Sequence, residues 1–526
     1  MSPERNSYDE VPYGVRVFPQ THPDRLAVIA RLFGLSPQAV TECRVLELGC
    51  GSGANLVPMA FHLPGSEFVG IDLSERQVAT ARASAEGLKL HNVEIHHADL
   101  HDVDEGWGRF DYIICHGVFS WVPQETKERI LDIFARNLAE QGIAYVSYNT
   151  YPGWHDSEKM RVMMLFHAGA TREAEGRIEQ ARAMLEFLAD FAPGGDTPYI
   201  RWLRDMRQSL SDRDDPYLFH EFLEAVNEPA YFSQFVERAG GHGLQYLGEA
   251  NFAQMFPHDL AAPAATRLHE LGPDILRFEQ YLDFLRNRRF RQTLLCREGL
   301  PIDRELNPGR VEGLFAASEL TAVNTTVDLQ SGQRQTFQLS DGAKIHTDIP
   351  LLKAALLTLQ AAYPMAIDLD TLVHRSVLRL SGVYEPLGID VQSSRESLAS
   401  HLLTFFSRGT VELHTWQAPC VQTVSATPAV SPMAAYQAEH GDWVVSQRHV
   451  LLAGLGPGRR QMIRLLDGTR DRAVVLGTLI DMVRAGTLAT WDDESMVCDP
   501  QTLTAFIERH FDAMLAETAR AGLLVR

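Results

Sequence analysis

Apolar positions along the chain fall into short unbroken runs that alternate with longer stretches of helical spacing. RVLELGC is apolar enough for a buried strand of a parallel sheet, and GSGANLVPMAFHL after it reads as a helix. SEFVGIDLS predicts a second strand that ends at Asp72, and SERQVATARASAEGL an amphipathic helix with Ser74 as its N-cap. VEIHHADLHD predicts a third strand ending at Asp99. FDYIICHGVFSWV predicts a fourth strand running into an apolar loop, and AEQGIAYVSYNTY a helix end and a fifth strand. Alternating strand and helix patterns of this kind build a parallel α/β sheet.

The pattern then changes. KMRVMMLFHAGA, EGRIEQARAMLEFLADF and PYIRWLRDMRQSL each carry apolar residues at about 3.6-residue spacing. The sheet resumes later: AYFSQFVERAGGHGLQYLGEA reads as helix, glycine stop and strand, and FEQYLDFLRNRRFRQTLLCREG as helix and strand. Residues 153–228 are therefore expected to be a helical insertion, and 229–298 to complete the sheet begun in 1–152. An insertion there lies above the carboxyl ends of the strands, as a roof over the ligand site or as a dimer contact. In 299–416, short strands with turns precede two helices in DIPLLKAALLTLQAAYPMAIDLDTLVHRSV and the strand-like TVELHTW. Paired helices with trailing strands suggest a winged-helix module. In 417–526, QAPCVQTVSATPAVSPMAAYQAE reads as an exposed crossing loop. GDWVVSQRHVLLAGL and the stretch after it read as helix and turn.

Bulk properties narrow the chemistry. With 526 residues, about three or four domains of ~150 residues are expected. The net charge of −20 makes nucleic acid a poor partner. The six cysteines form no CxxC pair, which argues against a zinc site or a disulfide framework. No signal peptide and no run of ~18 apolar residues is evident, so a cytoplasmic location without membrane insertion is expected.

Glycines 49, 51 and 53 sit between the first strand and the first helix, where backbone N–H groups meet a ligand. The spacing is G-x-G-x-G after Glu47, whereas dinucleotide turns use G-x-G-x-x-G. Asp72 at the end of the second strand is placed to accept from ribose hydroxyls. Asp99 is placed to accept from an adenine amino group, with Leu100 beside it to cover the ring. This succession of acids resembles the class I S-adenosylmethionine-dependent methyltransferases. The N-terminal SYDEVPY and FPQTHPDRLAVIARLFG, with NTYPGW, YLFHEFLEAVNEP and NRRFRQTLLC, look like one bacterial group of them. That group carries a methyltransferase regulatory domain and a C-terminal winged helix, and is similar to the rickettsial protein lysine methyltransferases, which act on outer-membrane proteins.

The resemblance implies a Rossmann-like α/β fold with a helical insertion and a mixed α+β, winged-helix-like C-terminal region. It implies S-adenosylmethionine as cofactor, S-adenosylhomocysteine as product, and Glu47, Gly49, Gly51, Gly53, Asp72, Leu73, Asp99, Leu100 and His116 around them. Tyr8, Tyr13 and Thr21 lie in a proline-broken segment suited to a lid, with Tyr13 the expected cofactor contact.

Methyl transfer is an in-line displacement that needs an aligned lone pair and a water-poor site. A lysine acceptor must first lose a proton, which burial among aromatic rings favours. His116, Phe119 and Trp121 follow the fourth strand, and Tyr148, Asn149, Tyr151 and Trp154 the fifth. His116, Tyr151 and Trp154 are the expected catalytic residues. Glu221 and Glu224 read as an exposed helix face that would reach the pocket only from the insertion. The expected activity is methylation of lysine side chains in a protein. The alternatives are a small-molecule methyltransferase and a cofactor-sensing interaction module. A homodimer contact through the insertion is a further expectation.

Overall fold

The structure is a computed structural model that describes residues 7–12, 14–171, 173–192, 195–330, 332–381, 391–492 and 499–526. Tyr13 lies outside these residues. Seven strands form the main sheet: β1 (Arg44–Leu48), β2 (Glu67–Asp72), β3 (Val93–His97), β4 (Phe110–Cys115), β5 (Leu138–Asn149), β6 (Leu244–Glu249) and β7 (Phe290–Arg297). Their order is β3-β2-β1-β4-β5-β7-β6. The first five are parallel, and β7 runs antiparallel to both β5 and β6. Strand order reverses between β1 and β4, and such a switch point leaves a crevice at the carboxyl ends of the strands.

Three boundaries differ from the sequence expectation. The first helix begins at Leu56, not at the glycines. Gly49, Gly51 and Gly53 have φ of +76°, +52° and +70°, which no α-helix uses. The expected helix end at Ala139–Gln141 is strand, inside β5, where the register against β4 shifts between Phe110 and Tyr112. β3 stops at His97 because Asp99 caps a 3₁₀ turn, Leu100–Asp102. The helix Glu75–Gly87 starts at Ser74, whose hydroxyl accepts from Gln77 N at 3.2 Å.

Four helices stand between β5 and the helix Phe232–Gly241 that leads into β6: Trp154–Ala168, Ala174–Phe191, Pro198–Ser211 and Asp215–Phe222. They pack around their own core of Met160, Met164, Ala181, Leu203, Leu218 and Phe222.

After β7, Phe315–Ala317 pairs antiparallel with Ile367–Asp368 and Glu412–His414. The helices Pro350–Ala362, Leu369–Ser381 and Val391–Ser407 share apolar core with the main sheet. The last hundred residues form a separate core around Met462, Val475, Leu479, Ile507 and Leu515. Two expectations change there. Instead of helix, GDWVVSQRHVLLAGL makes an antiparallel hairpin pairing Val444–Val445 with Leu451–Leu452, two residues a side and so too short to show a period. The expected exposed loop 417–439 ends in the helix Pro432–His440, with Val430, Met433 and Ala434 buried. Among the described residues, no helix is long and apolar enough to cross a membrane.

Candidate functional site

A cavity of ≈ 980 Å³ opens at the carboxyl ends of β1, β2 and β4 and runs beneath the helical insertion. Its glycine end is lined by Glu47, Gly49, Gly51, Asp72, Leu73, Asp99 and Leu100. Gly51 is the cradle: a Cβ there would meet nothing within 4 Å, so the space over its backbone is open. Asp72 Oδ2 accepts from Gly51 N at 2.8 Å and Oδ1 from Ser74 N at 2.9 Å, which fixes the carboxylate on the rim. Leu73 beside it is 57% exposed, an apolar surface free to cover a ligand. Asp99 Oδ1 accepts from His101 N at 2.9 Å and pairs with the His101 ring at 2.6 Å.

Glu47 is buried at the floor. Its Oε1 accepts from Asn55 Nδ2 at 2.7 Å, while Oε2 has no partner. Burial pushes its carboxyl up to about 8.

The other end is aromatic. Trp121 and Trp154 meet edge to face with centroids 6.3 Å apart, joined in the lining by Phe290 from β7 and Tyr217 from the helix Asp215–Phe222. The Trp154 indole N–H is buried without a partner, as is Asn149 Nδ2. Glu221 is on the cavity wall, not on an outer helix face, and burial pushes its carboxyl up to about 7. Glu224 instead takes the His220 ring at 2.7 Å.

His116 sits between the two ends. Its Nδ1 meets Tyr145 Oη at 2.8 Å, and the Phe18 ring lies 3.7 Å away, centroid to centroid. Burial lowers the imidazole to about 3, so it is neutral near pH 7 and too weak a base to take a proton from an ammonium.

Other expected residues lie elsewhere. Gly53 is absent from the lining: a Cβ there would strike Ala81 Cβ at 2.8 Å and Val57 Cγ2 at 3.0 Å. It serves helix packing. Tyr151 turns away, stacking on His155 at 4.0 Å and donating to Glu158 at 3.2 Å. Thr21 is buried outside the cavity, where its hydroxyl accepts from Asn55 at 3.0 Å. Of the other aromatic candidates, Phe119 and Tyr148 are core, packed on Phe235 at 5.4 and 4.1 Å.

Three family profiles match the chain: a methyltransferase domain over residues 45–142, a methyltransferase regulatory domain over 214–297 and a PKMT C-terminal winged helix domain over 427–523. An uncharacterised protein of Rickettsia prowazekii is 32% identical over 529 residues, spanning 99% of this chain and 94% of the relative. A second from the same organism is 39% identical over 233 residues, 44% of this chain and 93% of its own. PKMT2 from Rickettsia typhi, solved in complex with AdoHcy, superposes with a TM-score of 0.86 at 31% identity, covering 98% of this chain and all of that one. The chain belongs to the class I S-adenosylmethionine-dependent methyltransferases that carry a regulatory domain and a PKMT-type winged helix.

The cofactor of the methyltransferase is S-adenosylmethionine. The glycine end fits it by chemistry: an open backbone cradle at Gly51, a rim carboxylate at Asp72 for hydroxyl donors, an exposed leucine for a planar ring, and an unpartnered carboxylate oxygen at Glu47 for a cationic group. Sequence reasoning missed the residues of this methyltransferase that come from afar. Phe18, Tyr217, Arg289 and Phe290 fall in the stretches that carry the family resemblance, yet no local pattern marked them, or Asn55 and Arg213, as lining the cavity. Only the polar-aromatic cluster NRRFR, just before β7, hinted at Arg289 and Phe290.

Proposed function

We propose that this methyltransferase methylates lysine side chains of a protein, with Glu47, Gly49, Gly51, Asp72, Leu73, Asp99 and Leu100 holding the cofactor. The observation that carries the acceptor class is Glu221: a carboxyl raised to about 7, set in the wall that also holds Trp121, Trp154, Tyr217 and Phe290. Aromatic faces favour an alkylammonium by about 0.5–2 kcal/mol each, and a carboxylate among them gives it a charge partner. The likeness to PKMT2 supports the same reading.

When bound, the cofactor supplies a methyl group already activated on a sulfonium, so the acceptor needs only a free, aligned lone pair. Glu221, ionised above about pH 7, accepts the proton of the incoming ammonium. Trp121 and Trp154 exclude water, which favours the neutral amine. Asn149 and Trp154, both in the lining, each keep one buried donor without a partner. His116, neutral and held by Tyr145, orients groups at the junction of the two ends and takes no proton from the acceptor.

Incubation of the full chain with methyl-labelled cofactor and candidate bacterial proteins, followed by peptide mass spectrometry, tests the proposal. Label on lysine side chains is expected; label confined to small molecules overturns the lysine reading. Rates should rise with pH through about 7 as Glu221 ionises. Glu221→Gln should abolish that inflection and slow turnover by about 10²–10⁴-fold. A pH profile unchanged in the variant removes Glu221 from the proton path.

A further inference from the structure

The C-terminal hairpin reaches the floor of the cofactor site. Between Val444–Val445 and Leu451–Leu452, the turn carries His449 at φ +57° with its ring buried. Its Nε2 lies 3.0 Å from Asn55 Oδ1, across 394 residues of sequence. The same oxygen accepts from Phe18 N at 2.9 Å. Because a backbone N–H only donates, the Asn55 atom facing it is the oxygen, and the His449 nitrogen facing that oxygen is the protonated one. The amide's NH₂ is thereby turned to Glu47 Oε1 at 2.7 Å and Thr21 Oγ1 at 3.0 Å.

We infer that His449 is a positioning residue for cofactor binding: its Nε2–H locks the Asn55 amide so that Nδ2 holds Glu47 in the cavity floor. The inference rests on the reading of that cavity as the cofactor site. Without His449, one of the two donors on Oδ1 is gone. A rotated amide would then set its oxygen against the ionised form of Glu47 that a bound cation favours, and its NH₂ against Phe18 N, which needs an acceptor. The hairpin is rigid enough for this task. Arg448 donates to Tyr363 Oη at 2.5 Å and pairs with Glu412, which Arg25 also grips at 2.6 Å. The rings of His22 and His62 pack against His449 at 5.2 and 6.2 Å, so its plane is set by contacts on more than one side. Its Nδ1 is buried without a partner, and burial holds the ring's pKa well below its ordinary value, so the neutral, singly protonated form persists.

The test is calorimetric titration of full-length variants with S-adenosylhomocysteine. His449→Leu keeps bulk but loses the donor; His449→Gln keeps an N–H at similar reach. Loss of one hydrogen bond predicts a Kd weaker by about three- to tenfold in His449→Leu, and within about twofold of the parent in His449→Gln. Equal affinity for all three proteins, or equal loss in both variants, overturns the inference, the second marking a packing role. Should His449→Leu fail to fold, His449→Phe replaces it in the same comparison. Gly51→Val separates the two levels of the argument. If it binds S-adenosylhomocysteine like the parent, the cavity reading fails. If it loses binding while His449→Leu does not, the cavity reading stands and the role of His449 falls.

Discussion

Glu47 and Glu221 are two glutamates of one cavity, both raised by burial, yet they face different tasks. Glu47 has one oxygen held by Asn55 and one without a partner, and its carboxyl at about 8 is largely protonated at pH 7. A cation arriving at the bare oxygen favours the ionised form, so cofactor binding at pH 7 should release a proton from Glu47. Calorimetry in buffers of different ionisation enthalpy reads that release directly, and Glu47→Gln should remove it. An unchanged proton count in the variant would place the cationic part of the cofactor elsewhere. Glu221 lies near Arg161, Arg213 and Arg289, whose charges oppose the rise that burial imposes and leave it at about 7, poised for acid–base work near neutrality.

The glycines of the β1 turn separate at the scale of elements. Gly51 opens onto the cavity, whereas Gly53 lets Val57 of the helix Leu56–His62 and Ala81 of the helix Glu75–Gly87 close on the turn. Gly51→Val should therefore cost chiefly cofactor affinity, with only the strain of a non-glycine at φ +52°, about 1–2 kcal/mol, felt in stability. Gly53→Val adds a clash with Ala81 to similar strain, and should lose about 1–3 kcal/mol more in denaturant unfolding. Equal unfolding midpoints for the two variants would contradict the division. The loops after β4 and β5 are joined in the same local way: Ser147 Oγ accepts from Gly117 N and Ser120 Oγ from Asn149 N, each at 2.8 Å. These bonds hold His116, Trp121 and Asn149 on one wall. The helices Pro198–Ser211 and Asp215–Phe222 and the turn between them add Arg213, Tyr217 and Glu221 to the lining, so the insertion roofs the site.

Across the whole molecule, β7 is clamped by a buried ionic cluster. Arg291 bonds Glu249 Oε1 at 2.6 Å, Glu279 Oε2 at 3.1 Å and Asp283 Oδ1 at 2.8 Å, with Arg288 also on Glu279 at 3.4 Å. Arg288 and Arg291 of the cluster flank Arg289 and Phe290 in sequence, and those two line the cavity. Arg291→Met would leave three acids crowded on one remaining arginine, a loss of about 3–5 kcal/mol in unfolding free energy. An unfolding midpoint close to the parent's would show that the acids escape by taking up protons. The C-terminal hairpin is a second long-range tie, joining the last domain to the cavity floor through His449 and Asn55.

The strand–turn–helix order of residues 44–115, Asp72 at the end of β2 and the resumed sheet after the insertion were legible because they rest on local periodicity and on glycine chemistry close in sequence. Ser74 as N-cap was legible for the same reason. Local pattern was silent where a residue's role depends on what packs against it. Gly53 and Gly51 share one motif and differ only in their neighbours, Ala81 in one case and open space in the other. Tyr151 and Trp154 are three residues apart in one turn, yet one faces Glu158 and the other the cavity. Glu221 carries the helical spacing of a solvent-facing residue and acquires its raised carboxyl only because the insertion folds back over the sheet. His449 stands 394 residues from Asn55, and no periodicity spans such a distance. The sequence thus determined the sheet and its glycine turn, through backbone conformation and short-range patterning. Tertiary structure alone decided which side chains face the cavity, because burial and charge partners exist only once distant segments meet.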